Sequence, residues 1–437
     1  MTGSVRTQVP AAVPPGGGHL PHVQESSSAW GILPPLALAA VVGLVCAAVL
    51  FRRKTLARRY MVASCTVFAL VLSLVLVAAL RPRDEPHTAA AHGAAAADER
   101  PSRPGTPVLR TLRLSGKQVG VLVVPGRPGR NLVGIGADDA RAGTAGGGGP
   151  LRKGQRRPGS AQTWVSVDLP EGSSTLWVSA GGERKSLAVD TGSGRPAAVG
   201  ALDSADGPEC AAAAAGALVA GSDRPLTACP SDRLTARDAE ALRATVRFIA
   251  GRGDRSVGLV SDGSPRGRTA AAVVRSAARQ EGVALAAPGK GRPVLVTAGW
   301  AEATSVTGAV ESGRTRAQGV YLAPWLLARS VLTPSAGQLI PLRFTPRTEQ
   351  AMAYAEALAA RLPGEYPSGS GYAAWQRARG EEPEPRPRLF AASTAYVPGT
   401  MISADGGGTS GHHHSAAVAD WLPSGMISPV SGPMREG

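Results

Sequence analysis

Two long stretches without charge dominate the first eighty residues. Trp30–Phe51 and Tyr60–Leu80 contain no Asp, Glu, Lys or Arg, and each is about the ~20 residues that an apolar helix needs to cross a bilayer. Read alone, they predict two transmembrane helices, at 30–51 and 60–80. Between them Arg52–Arg59 reads RRKTLARR, whereas the tail of residues 1–29 holds a single Arg and a single Glu. Positive charge concentrates on cytoplasmic loops, so 52–59 is expected inside and both termini outside the cell membrane. A cleaved leader would instead start with a short basic stretch and a shorter apolar run. Ala39, Gly43 and Ala47 recur every fourth residue, which puts small side chains on one helix face and lets a second span approach. Cys46 and Cys65 lie within the two runs and read as inert apolar residues.

Composition limits the rest. At 437 residues the chain has room for two or three domains. Four Cys are too few for a disulfide framework. The net charge of +15 suggests a nucleic-acid partner, but only five of the 47 basic residues are Lys. That skew reads as high-G+C codon usage, and no nucleic-acid partner is expected.

Residues 81–105 lack periodicity and read as a linker. The pattern then changes to short β-branched or alternating runs: VLRTLRL, VGVLVVP, NLVGIGA, TWVSVDL, STLWVSA and KSLAVD. Six short strands divided by Gly and Pro turns predict a small immunoglobulin-like β-sandwich over 106–192, with a basic, flexible insertion at Gly143–Gly159. Val119–Ala137, VGVLVVPGRPGRNLVGIGA, resembles the strand, PGRPGxN turn and strand of CopC and YtkA-like copper-resistance domains, and DLPEGSSTLWVSAGGERKSLAVD resembles their closing hairpin. The resemblance implies the sandwich but no copper site within it, because those ligands are His-rich and residues 105–195 contain no His.

A Gly, Ala and Asp-rich seam at Thr191–Pro208 precedes a second change of period. Arg233–Ala250 has Leu234, Ala241, Leu242, Val246 and Ile249 on one helical face. SVGLV at 256–260 reads as a buried strand, and Ser264 and Pro265 open a helix as N-cap and first residue. Strands VLVTA, GVYLA and GQLIPL follow, separated by helical segments, and the alternation implies parallel βαβ units over 205–437. SVGLVSDGSPRGRTAAAVVRSAARQEGVAL, GVYLAPWLL and the late GYAAW element resemble the lobe of type 1 periplasmic binding proteins, the branched-chain amino-acid receptor class. The resemblance implies a reduced periplasmic-binding-protein-like domain, since that class has two full lobes.

In open α/β sheets, ligands sit beyond the carboxyl ends of the strands. Those ends carry Ser261, Asp262, Ser264 and Arg266 after the first strand, Trp300 after the second and Trp325 after the third. Ser264 with Arg266 suits a carboxylate at a helix N-terminus, and the two Trp suit a stacked ligand; a plain cap and plain core are the alternatives. Cys210 and Cys229 are expected to form a disulfide in an oxidising compartment. His412, His413 and His414, with Met401, Met426 and Met434, form a second candidate, a soft-metal site for copper.

No GxSxG, HExxH, CxxC or P-loop signature is present, so no catalytic residue is assigned. The expected function is that of a non-catalytic, membrane-anchored extracytoplasmic binding or sensor protein for a small solute or a partner protein. A copper-handling accessory protein and a degenerate binding fold that serves as an interaction subunit of a membrane complex are the alternatives.

Overall fold

The computed structural model describes residues 103–144, 149–157, 160–194, 200–289, 291–332, 337–394, 421–422 and 425–435. Residues Ala89–Gly437 form one compact unit.

Three antiparallel strands begin the described chain: β1 Val108–Leu114, β2 Lys117–Val124 and β3 Gly129–Ile135. Ser115 and Gly116, both with positive φ, close the two-residue turn that pairs Leu114 with Lys117. That backbone matches the right-handed twist of a hairpin. Short strands β4 Arg141–Gly143, β5 Arg152–Lys153 and β6 Gln155–Arg156 follow. The sandwich ends with β7 Thr163–Leu169, β8 Ser173–Ala180 and β9 Glu183–Asp190. Two sheets result, β1-β2-β3-β7-β6 and β5-β4-β8-β9. The basic insertion is therefore used in part: its strands β5 and β6 extend one sheet each.

The first sheet is buried on both faces. Val121, Val123, Val133 and Val165 point into the core between the sheets, while Leu109, Leu122, Val124, Leu132 and Trp164 belong to a second core shared with the rest of the chain. Successive side chains on a strand point to opposite faces, so a sheet covered on both sides needs continuous apolar runs such as VGVLVV.

The element on its outer face is α1, Gly207–Val219, an Ala-rich helix buried almost all round. Ala keeps it thin enough to fit between the sheet and a later helix. A Cβ on Gly216 would stand 2.0 Å from the Gly371 carbonyl oxygen. Helices α2 Ala236–Gly251 and α3 Pro265–Gln280 flank β10 Ser256–Val260. Then come β11 Ala284–Ala286, β12 Val294–Val296, α4 Trp300–Glu311, β13 Val320–Leu322 and β14 Gln338–Leu342. Helices α5 Glu349–Arg361 and α6 Gly369–Arg379 precede β15 Arg388–Thr394 and β16 Gly425–Pro429. The third sheet runs β11-β10-β12-β13-β14-β15-β16.

This architecture corrects the expected fold class. Among the described residues no helix is long and apolar enough to cross a membrane; the runs 30–51 and 60–80, and the basic loop 52–59 between them, lie outside the described residues. The α/β sheet is mixed, not parallel throughout: β14 pairs antiparallel with β15 and β15 with β16, the first because two helices, α5 and α6, lie between β14 and β15. The helical segment expected between β13 and β14 is a three-residue 3-10 turn, Pro324–Leu326.

Candidate functional site

The α/β sheet reverses its strand order between β10 and β12, the switch point where a ligand crevice is expected. The chain fills that crevice itself. Asp262, just beyond β10, accepts from the Ser264 N–H (3.0 Å) and hydroxyl (2.6 Å) through Oδ1 and from the Gly299 N–H (2.6 Å) through Oδ2. Ser264 caps α3 by accepting from the Gly267 N–H at 2.9 Å, and Ser261 donates to the Gly267 carbonyl at 2.8 Å. Asp206 accepts from the Ala301 N–H at 2.9 Å. Carboxylates thus occupy the N-terminus of α4, where free N–H groups and the helix dipole favour negative charge. Gly299 is required there, since a Cβ would come within 2.1 Å of the Asp206 carboxylate.

Arg266 is turned inward, not toward solvent. Its side chain is 3% exposed and forks onto Glu209 of α1, fully buried, with both contacts at 2.6 Å. Glu209 also accepts from the Ser370 hydroxyl at 2.7 Å. The guanidinium lies 4.5 Å from the Trp325 ring centroid. Burial works to lower the Arg266 pKa, but the charge and hydrogen bonds of Glu209, helped by Asp238 and Asp206, raise it overall. Burial raises the Asp206 pKa; the Ala301 N–H works against it, while Glu209 and Asp262 add to the rise. Trp300 and Trp325 are core: the Trp300 Nε1–H donates to the Trp325 carbonyl and the Trp325 Nε1–H to the Ala298 carbonyl, both at 2.9 Å. The structure brings all six predicted residues together as an internal network. Cys210 and Cys229 are joined by a disulfide that ties the start of α1 to the chain ahead of α2, Cα to Cα 5.0 Å. His412, His413 and His414 lie outside the described residues, among which no group of three or more His, Cys, Asp or Glu is arranged to hold a metal.

An open space remains beside this network. A cavity of about 250 Å³ lies between the sandwich and the α/β part, with Arg156, Ser160 and Ala161 on one side and Trp300, Ala328–Ser330 and Glu365–Ser368 on the other. Its wall carries enclosed polar atoms with no protein partner: Glu365 Oε2 and Ser330 Oγ. Behind Ala161, Gln162 is 1% exposed, with its Oε1 over Gly134 and its amide against the Glu365 carboxyl. Desolvation pushes the Glu365 carboxyl up to about 7, against the Gln162 amide and the Tyr366 N–H, which hold it down.

Known proteins offer only distant likenesses to this chain. No protein-family model matches the chain and no curated protein matches it. Solved structures do. An ABC transporter substrate-binding protein from Desulfitobacterium hafniense in complex with Leu is 14% identical, with a TM-score of 0.26 over 32% of this chain and 47% of that one. A branched chain amino acid ABC transporter periplasmic ligand-binding protein from Burkholderia xenovorans LB400 is 13% identical, with a TM-score of 0.28 over 38% and 55%. A branched chain amino acid ABC transporter protein from Thermus thermophilus with bound valine is 18% identical, with a TM-score of 0.25 over 32% and 44%. The chain spans about half the length of these structures.

Arg156, Ser160, Gln162, Arg329, Ser330 and Glu365 did not emerge from the sequence. They come from strand β6 and the loop after it, the segment that follows the 3-10 turn, and the connection between α5 and α6, none with a motif.

Proposed function

We propose that this protein binds a small solute without transforming it, in the cavity between the sandwich and the α/β part. The observation that carries this reading is the cavity of about 250 Å³ itself, whose lining gathers Arg156, Ser160, Ser330 and Glu365 beside the buried Trp300. That volume equals the share of about eight liquid waters, which suits a compound much smaller than a peptide. The crevice at the strand ends is not the site, because Asp206, Asp262 and the Glu209–Arg266 pair already occupy it. The Cys210–Cys229 disulfide supports an oxidising, extracytoplasmic setting.

Thermal unfolding against a panel of amino acids, sugars, amines and small carboxylates tests the reading. A ligand that prefers the folded state stabilises it by about 2.7 kcal/mol at a hundred times its Kd. The shift is expected to disappear in Ser330→Phe, which fills the cavity. A panel that shifts nothing, or a shift that survives Ser330→Phe, refutes the assignment.

A further inference from the structure

The connection between α5 and α6 grips the sandwich through one turn, Leu362–Glu365. The Glu365 N–H donates to the Leu362 carbonyl at 3.0 Å, and Gly364 has φ +85°; Pro363 and Gly364 at the two central positions suit a type II turn. It beds where the sheet has no Cβ. A Cβ on Gly120 would stand 2.5 Å from Leu362 Cδ1, and one on Gly136 would stand 2.8 Å from the Pro363 carbonyl oxygen. Beside it the Thr111 hydroxyl donates to the Arg361 carbonyl at 3.2 Å. With Leu362 fully buried, the turn holds the Glu365 carboxyl against the amide of Gln162, a residue of the sandwich.

An amide and a carboxyl complement each other in only one protonation state. Gln162 offers an acceptor oxygen and a donor nitrogen, and a protonated carboxyl likewise offers one donor and one acceptor. An ionised carboxyl only accepts, so it can meet the nitrogen but leaves Gln162 Oε1 without a donor. Gln162 Oε1 and Glu365 Oε2 are both enclosed, so bulk water does not supply that donor.

The charged and titratable side chains around the carboxyl do not take its place. Burial holds the Tyr354 phenol of α5 well above its ordinary range, against its hydrogen bonds to Ser368, and the Glu365 charge adds to the rise, so Tyr354 stays neutral. Across the cavity Arg156 of β6 pairs with Asp138 and donates to the Ala161 carbonyl at 2.9 Å. Arg329, beyond the 3-10 turn, lies 3.9 Å from the Tyr366 ring centroid. Both guanidiniums are engaged elsewhere.

We propose that Glu365 and Gln162 form a proton latch between the sandwich and the α/β part: the protonated carboxyl keeps the turn bedded, and its ionisation lets Leu362–Ser368 open locally while the two cores stay joined. Burial holds this carboxyl at about 7, against about 4.3 for a solvated one. The closed form therefore has its full advantage below the solvated pKa and loses it as pH rises through the folded one. The same connection supplies Glu365, Tyr366, Pro367 and Ser368 to the cavity wall, so the proton sets how readily that wall opens, whether or not a solute binds there.

Hydrogen exchange of the full chain, read by mass spectrometry with times scaled to the intrinsic rate, tests the latch. Between pH 5.5 and pH 8, opening of peptides over Leu362–Ser368 and Ser160–Thr163 is expected to rise by on the order of tenfold, while β2 and β3 keep their protection. The rise should level off above about pH 7. Glu365→Gln sets amide against amide, which complement each other at every pH, and should keep both segments closed at pH 8. Equal opening of the wild type at both pH values overturns the latch. So does a rise that continues unabated to about pH 9, one shared equally by β2 and β3, or one that survives in Glu365→Gln. The wild-type profile decides even where that variant does not fold.

Discussion

Replacement of Arg266 by Met is the most direct probe of how the strand-end crevice is filled. The side chain is 3% exposed and its partner Glu209 is fully buried. Two contacts of 2.6 Å make the pair a fork, and a buried pair broken from one side costs about 3–5 kcal/mol, because the remaining charge has nothing to neutralise it. Arg266 faces more than one carboxylate, since Glu209, Asp238 and Asp206 all act on it. Arg266→Met should therefore sit at the upper end of that range and exceed Glu209→Met, which leaves the guanidinium over Trp325. At about 2 °C per kcal/mol for a chain of this size, the expected fall in Tm is about 8–10 °C. The double variant Glu209→Met with Arg266→Met removes both charges at once, and its loss should be smaller than the sum of the singles by about 2 kcal/mol or more. Urea unfolding of the four proteins measures this cycle. Additive losses, or an Arg266→Met loss under about 1 kcal/mol, would show that the pair does not close the crevice and that the reasoning is wrong.

Glu365 has a folded pKa raised to about 7 by burial, against an unfolded value of about 4.3. A carboxyl raised in this way contributes stability that is full below the unfolded pKa and is lost as pH rises through the folded one. The stability of the wild type relative to Glu365→Gln should therefore fall between about pH 4.5 and 7, by no more than about 4 kcal/mol, and parallel Tm–pH curves would contradict it. Paired replacement of Cys210 and Cys229 by Ser opens a loop of 19-residue separation; about 3 kcal/mol should be lost in the loop-entropy model, and the wild type under strong reductant should melt at the variant's temperature. Gly216→Ala forces a methyl group to within 2.0 Å of the Gly371 carbonyl and should destabilise by about 1–3 kcal/mol in denaturant unfolding, as overpacking does. An unchanged midpoint would mean that α1 and α6 can slide apart.

Sequence reasoning reached the elements whose pattern is local. VLRTLRL, STLWVSA and KSLAVD alternate and are strands, and Ser264 caps the helix that Pro265 opens. The helix α1 escaped because GPECAAAAAGALV has no polar face to set against an apolar one, and a helix buried all round gives no periodic signal. Strands β15 and β16 escaped because each is short and antiparallel partners far apart in sequence leave no local trace. The predicted site residues were correctly placed at strand ends, yet their role depended on Asp206 and Glu209, contributed by the unforeseen helix. Composition alone does not reveal whether an Arg at such an end meets a ligand or a carboxylate of its own chain.

The sheet β1-β2-β3-β7-β6 has core on both faces, with Val123 and Val133 on one and Leu122, Val124 and Leu132 on the other. Such a layer cannot be peeled from either neighbour without wetting the other. The two parts of Ala89–Gly437 are therefore welded into one cooperative block, expected to melt in a single transition, with the most slowly exchanging amides in β2 and β3. No swivel separates the walls of the cavity. A solute bound there as proposed would have to pass the exposed lining side chains Arg156 and Arg329, and its arrival should leave the scattering profile of the block unchanged.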